Sequence, residues 1–170
     1  MKVVVLAIGK PAQLFRDAIL EYERRAARYW TLDVIEVKEE KAAARTSPVQ
    51  VRTAEGERLL ERVPTGLEVF ALTRAGEQWS SDRLAQHLQQ RAVESHPGVA
   101  FLIGGAYGLG ENALNRAARR LSLSAFTLPH ELARLMLAEQ LYRAGTIARG
   151  EPYHKAGPAA TGQGPGVKGQ

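Results

Sequence analysis

The chain has no cysteine, which removes disulfide staples, thiolate metal sites and thiol nucleophiles together. It also lacks a long hydrophobic run: the stretch Val3–Ile8 is far short of the roughly 18 apolar residues that span a bilayer. That stretch is too short for the apolar core of a signal peptide as well, so no membrane association is expected and a reducing cytoplasm is the expected setting. Metal-ligand spacing is missing among His87, His96, His130 and His154, and no G-x-S-x-G nucleophile elbow occurs, so neither a metal site nor a serine hydrolase is expected.

What is present is an ordinary globular composition, 45% hydrophobic and 24% charged, which fits neither a disordered nor a fibrous protein. At 170 residues, against a prior of about 150 per domain, a single domain over 1–155 is expected. Residues 156–170 hold five Gly, two Pro and Val167 as the sole large apolar side chain, so a disordered tail is expected there. The 23 Lys and Arg exceed the 18 Asp and Glu by five, and 17 of the 23 are arginine. A guanidinium fork suits phosphate oxygens, so an anionic partner such as RNA is compatible with the charge without being required by it.

Hydrophobic patterning gives an α/β order. Lys2–Ile8 is an unalternating β-branched run, the mark of a strand covered on both faces, and such strands belong to parallel sheets. Pro11 then opens a helix with Leu14, Ala18, Ile19, Tyr22 and Ala26 at helical spacing. Leu32–Val37, Leu67–Leu72 and Val99–Ile103 read as further strands, with Leu121–Leu128 as the fifth segment. Helices are expected from Ser47-Pro48 to about Arg62, from Ser80 or Ser81 past Ala92, from Glu111 to about Arg120, and from Pro129 to about Ile147. The last is apolar around most of its circumference and calls for wide burial, by another subunit among other ways. The sum is a mostly parallel sheet with helices on both faces.

Ligands of such sheets bind beyond the carboxyl ends of the strands, which singles out the loops after Leu72, after Ile103 and around Leu123–Pro129. The second of these, Gly104-Gly105-Ala106-Tyr107-Gly108-Leu109-Gly110, matches neither the dinucleotide G-x-G-x-x-G order nor a Walker loop, because Glu111 stands where lysine would follow. It is either a tight turn needing positive φ or a close backbone approach to a ligand. Glu139 and Arg143, at i and i+4, read as a helix-surface ion pair. His130 at a helix start reads first as a capping or packing residue, and Trp30 and Trp79 as packing residues.

The segments Leu102-Ile103-Gly104-Gly105…Gly108-Leu109, Leu121-Ser122-Leu123-Ser124-Ala125-Phe126-Thr127-Leu128-Pro129-His130, Glu139-Gln140-Leu141-Tyr142-Arg143-Ala144 and Arg149-Gly150-Glu151-Pro152-Tyr153-His154-Lys155 resemble, in this order, the RlmH family of the SPOUT methyltransferase superfamily. The likeness covers residues 1–155. It implies an α/β fold with a C-terminal trefoil knot, which general topology rules would not have supplied. It further implies a homodimer that uses S-adenosyl-L-methionine to methylate N3 of a pseudouridine in 23S ribosomal RNA, on the ribosome. Carried over by motif, the cofactor pocket includes Leu72, Gly104, Gly105, Leu123, Ser124, Ala125, Phe126, Thr127 and Leu128. His154, Tyr153 and Arg143 are implied to meet the target base, its developing anion or an RNA phosphate. No metal is implied. A catalytically silent RNA- or ribosome-binding module on the same fold is the competing reading, and a nucleotide-binding α/β protein of another class is a third.

Overall fold

A computed structural model describes residues 1–155; the expected tail over 156–170 lies outside the described residues. The elements are β1 (Lys2–Ile8), α1 (Gln13–Ala26), β2 (Thr31–Val37), α2 (Pro48–Arg62), β3 (Glu68–Gln78), α3 (Ser81–Val93), β4 (Gly98–Ile103), α4 (Glu111–Arg116), β5 (Arg119–Ser122) and α5 (His130–Ala148). The five strands form one sheet in the order β2-β1-β4-β3-β5, and every pairing is parallel.

Strands β1 and β4 are buried along nearly their whole length because helices cover both faces. Val3, Val5 and Ala7 point into a core shared with Ala26 of α1, Leu84 and Leu88 of α3, and Leu137 and Leu141 of α5. Their neighbours Val4, Leu6 and Ile8 point the other way, onto Leu59 of α2 and Ala113 of α4. The two-residue period of a strand thus supplies both cores from one run, each fully buried large side chain contributing about 1.5–3 kcal/mol. Helix α2 starts where the sequence signals it: the Ser47 side chain accepts from the Gln50 amide at 3.2 Å, Gln50 returns the bond at 2.8 Å, and Pro48 occupies the first turn. Ser80 caps α3 in the same manner, accepting from the Arg83 amide.

Four expectations are corrected. The fifth strand is Arg119–Ser122, not Leu121–Leu128, and α4 stops at Arg116 because Arg119 and Arg120 pair with Phe70 and Ala71 of β3. Beyond Ser122 the chain turns away from the ladder, with Ser122 Oγ–H donating to the Ser124 carbonyl at 2.9 Å and the Phe126 amide donating to Ser124 Oγ at 3.0 Å. Strand β3 runs past Leu72 to Gln78 through an irregularity in which Leu72 and Glu77 both face Leu121. Gly76 in that stretch lies against the β5 backbone so closely that a Cβ would come within 2.6 Å of Leu121 main-chain atoms. Finally, α1 begins at Gln13, after Pro11, and its apolar stripe does not all face inward. Ile19 and Ala26 are buried, whereas Leu14 is 84% exposed and Ala18 is exposed. The third inward position is Glu23, whose carboxylate meets Arg134 of α5 at 2.8 Å; Arg134 also reaches Glu36 of β2 at 3.0 Å. A buried ion pair has no hydrophobic signature, so periodicity alone cannot place it.

Candidate active site

The irregular middle of β3 and the loops after β4 and β5 meet beside the carboxyl ends of β4 and β5 and line a cleft of about 380 Å³. Leu72, Gly104, Gly105, Leu123, Ser124, Phe126, Thr127 and Leu128 all line it; Ala125 is exposed and does not. The cleft also takes in Thr73 and Arg74 from the lengthened β3, Tyr107 from the glycine loop, and His130 and Ala133 from the first turn of α5. Arg74 was not visible as a site residue because β3 was expected to end at Leu72. Its guanidinium donates to the Thr127 hydroxyl at 3.3 Å, so it ties two walls of the cleft together.

The glycines are needed chiefly for packing. Gly108 alone in this loop has positive φ, at 79°, and its amide closes a turn onto the Gly105 carbonyl at 3.0 Å. A Cβ on Gly104 would stand 2.5 Å from the Gly108 backbone, and one on Gly110 would stand 2.7 Å from the Arg52 carbonyl of α2. A Cβ on Gly105 would collide with the Glu55 carboxyl of α2. The loop is therefore folded back on itself and pressed onto α2, which leaves its backbone facing the cleft. The lining is mostly apolar side chains and main chain, and among the described residues the amides of Ala125 and Leu128 find no backbone hydrogen-bond partner. An apolar slot with unspent main-chain groups suits the edge and face of an adenine.

Arg143, Tyr153 and His154 are gathered elsewhere, around Glu139, and none of them lines this cleft. The expected Glu139–Arg143 pair is formed at 2.5 Å, with both side chains mostly buried. The Tyr153 hydroxyl donates to the same Glu139 oxygen at 3.0 Å, and the Arg143 guanidinium lies over the Tyr153 ring at 4.9 Å. Burial first, then contacts with Tyr22 and Glu139, push the Tyr153 phenol well above its ordinary range, so it is a proton donor at neutral pH. Arg143 Nη1 is 3.3 Å from His154 Nδ1. A guanidinium only donates, so Nδ1 accepts and a neutral His154 carries its proton on Nε2. That Nε2 is buried without a hydrogen-bond partner; Asp82 Oδ2, at 3.5 Å, is within ion-pair reach only. The cluster thus presents a guanidinium, a phenol O–H and an imidazole N–H around one carboxylate.

His154 faces a second cavity of about 490 Å³, between α3 and α5, which shares Leu123 with the cleft. Trp79 lines this cavity while packing edge-on against Phe70 at 5.6 Å, so it is not packing alone. Trp30 is a core residue, its indole N–H donating to the Leu141 carbonyl at 2.8 Å. Among the described residues no group of three or more acidic, His or Cys side chains is placed to hold a metal, and no helix is long and apolar enough to cross a membrane.

Comparison with known proteins gives the family. A family model described as "Predicted SPOUT methyltransferase" matches residues 1–154. The chain is 54% identical over 156 residues to the Ribosomal RNA large subunit methyltransferase H of Gemmatimonas aurantiaca, covering 91% of this chain and 100% of that one. It is 42% identical over 155 residues to the protein of that name from Syntrophotalea carbinolica, covering 91% and 99%. The same-named protein of Limosilactobacillus fermentum is 40% identical over 159 residues, covering 91% and 100%. Matches along nearly the whole length, on a parallel sheet whose carboxyl-edge loops build a cleft, place the chain in the SPOUT methyltransferase family.

Proposed function

We propose that the chain transfers the methyl group of S-adenosyl-L-methionine to N3 of a pseudouridine in 23S ribosomal RNA, acting as a homodimer on the ribosome. The observation that carries the reading is the cleft at the carboxyl edge, where eight motif-matched residues converge in a chain whose relatives bear the ribosomal RNA methyltransferase name. Its volume and its mixture of apolar walls and main-chain groups fit a nucleoside cofactor. Leu72, Leu123 and Leu128 would flank the adenine, and the backbone at Gly104 and Gly105 would approach the rest of the molecule. Bound there, the cofactor supplies an electrophilic methyl group on a sulfonium.

The residues of the Glu139 cluster answer the remaining need. A ring N–H flanked by two carbonyls becomes a nucleophile only as its proton leaves to water, and the negative charge then spreads onto the carbonyl oxygens. Arg143 and His154 Nε2–H are two donors held in place before reaction, which is the arrangement that stabilises such an anion, while the Tyr153 O–H is given to Glu139 and holds that carboxylate in position. Glu139 fixes Arg143 and Tyr153 and is the cluster's acceptor.

A homodimer brings cluster and cleft together. Helix α5 contributes His130 and Ala133 to the cleft and Glu139 and Arg143 to the cluster, about two and a half turns further along. Two copies related by a twofold axis with α5 antiparallel set the start of one helix beside the end of the other. Exposed Leu14 and Leu20 on α1 and half-buried Leu132, Leu135 and Met136 on α5 supply apolar surface for that contact. The trefoil knot belongs to the same proposal, supported by the family match over residues 1–154.

The test is labelled methyl transfer from S-adenosylmethionine to ribosomes lacking the modification, with the product nucleotide identified by mass spectrometry. N3-methylated pseudouridine in 23S RNA is the expected product. Cofactor binding without transfer would point to another RNA, and a chain that binds no cofactor would be a silent module.

A further inference from the structure

One buried acid lies against the cofactor loop and has no part in the chemistry above. Glu55 on α2 is 4% exposed. Its Oε1 accepts the amide of Glu40, in the loop after β2, at 3.1 Å. Its Oε2 is buried and has no hydrogen-bond partner. The carboxyl abuts Gly105: a Cβ there would lie 2.9 Å from Oε2, 3.2 Å from Oε1 and 3.0 Å from Ile8 Cγ2. Gly105 in turn lines the cleft. The Glu55 side chain therefore stands between the loop after β2 and the loop after β4, wedged under the residue that the cofactor would touch.

We propose that Glu55 is a positioning residue that sets the height of Gly105 in the cofactor cleft, and that it does so with its carboxyl protonated. The inference rests on the reading that the cleft holds S-adenosylmethionine. A buried, unpartnered oxygen is tolerable on a neutral carboxylic acid and costly on a carboxylate. The charges facing it agree. From the loop after β2 come Glu39 and Glu40, both repelling an ionised Glu55; from α2 comes Arg58, already engaged by the Lys38 carbonyl at 3.0 Å and by the Glu40 carboxylate. On the side of α4 the neutral Asn112 meets α2, its amide donating to the Thr53 carbonyl. Burial first, opposed by the Glu40 amide and reinforced by Glu39, holds the Glu55 carboxyl above its ordinary range.

The sign of the pH dependence follows. A carboxyl raised in the folded state contributes fully below the ordinary carboxylate range, and its contribution fades as pH rises through the folded value. Ionisation then leaves a charge that is relieved only by moving the wedge or admitting water, and Gly105 moves with it.

Calorimetric titration with S-adenosylmethionine from about pH 5 to about pH 8.5 tests this on the full chain, comparing wild type with Glu55→Gln, Glu55→Ala, Gly105→Ala and the Glu55→Ala/Gly105→Ala pair. Wild-type affinity should weaken as pH rises, whereas Glu55→Gln, a permanently neutral isostere, should keep the low-pH affinity throughout. Glu55→Ala should lose about tenfold at every pH, since a displacement of about 1 Å at a site is enough for such losses. Gly105→Ala should bind poorly, and removing the Glu55 carboxyl beside it should restore part of the loss. A Glu55→Gln profile that follows wild type would overturn the inference and leave the cofactor reading standing; this comparison decides even if Glu55→Ala fails to fold. A wild-type chain that binds no cofactor at any pH would overturn both.

Discussion

The two ends of α5 are built on opposite principles. At its start, the cleft is made of backbone and small or apolar side chains, and its shape depends on glycines pressed against α2 and against each other. Toward its end, Glu139, Arg143, Tyr153 and His154 form a site made wholly of side-chain heads linked by charge and hydrogen bonds. The first kind should tolerate the loss of a side chain and fail when one is added. The second should fold well and fail in function when one is removed.

The largest effect that would test this contrast is Gly104→Ala, which adds one methyl group where 2.5 Å separates it from the Gly108 backbone. Cofactor affinity measured by calorimetry should fall about a hundredfold, because a backbone cannot step aside as a flexible side chain can. Next, Arg143→Ala should lower kcat by up to about a hundredfold in the ribosome assay, the cost of one preorganised donor, with cofactor affinity within about twofold of wild type. Matched losses in both quantities would mean that the cluster shapes the cleft. Tyr153→Phe should cost less, about tenfold in kcat, since it removes a bond that steadies Glu139 and takes no donor away from the target base. Because the Tyr153 phenol is held above its ordinary range, an alkaline limb in the rate profile should survive this substitution unchanged.

The smallest effect on function should come from Glu68, at the opposite end of β3 from the cleft. It is buried among His87 at 2.8 Å, Arg91 at 2.9 Å and Arg119 at 3.0 Å. Burial works against its charge, but hydrogen bonds from these three outweigh it and hold the carboxyl below its ordinary range. Its contribution is therefore present above the ordinary carboxylate range and lost as pH falls through the folded value. Glu68→Gln should cost about 3 kcal/mol in urea unfolding at neutral pH, and less in acid, while cofactor affinity and kcat stay at wild-type values.

The same contrast accounts for what could be read in advance. Strands β1 and β4, buried on both faces, announce themselves as unbroken apolar runs, and the carboxyl-edge rule then selects three segments that do line the cleft, although the one after Leu72 is a continuation of β3 and not a loop. Serine caps place the starts of α2 and α3. Strand β5 was misplaced because Arg119 and Arg120 carry no strand pattern; β3 holds them in register through backbone pairing and the Arg119–Glu68 ion pair. Arg74 fell outside the expected site for a related reason, since the irregularity after Leu72 is set by β5 packing on Gly76. The motif carried Arg143, Tyr153 and His154 as site residues, but composition and spacing gave no sign that they gather apart from the cleft. Glu55 was silent in the sequence because a helix glutamate looks solvated until its neighbours are known.

The most direct measurement mixes two inactive variants, Gly104→Ala and Arg143→Ala, allows subunits to exchange, and assays methyl transfer to unmodified ribosomes. If cleft and cluster from different subunits compose each site, the mixed dimer holds one intact site, and activity should return toward a quarter of wild type, from about half the dimers with one site each. Activity that stays at the level of the separate variants after verified exchange would contradict a shared site.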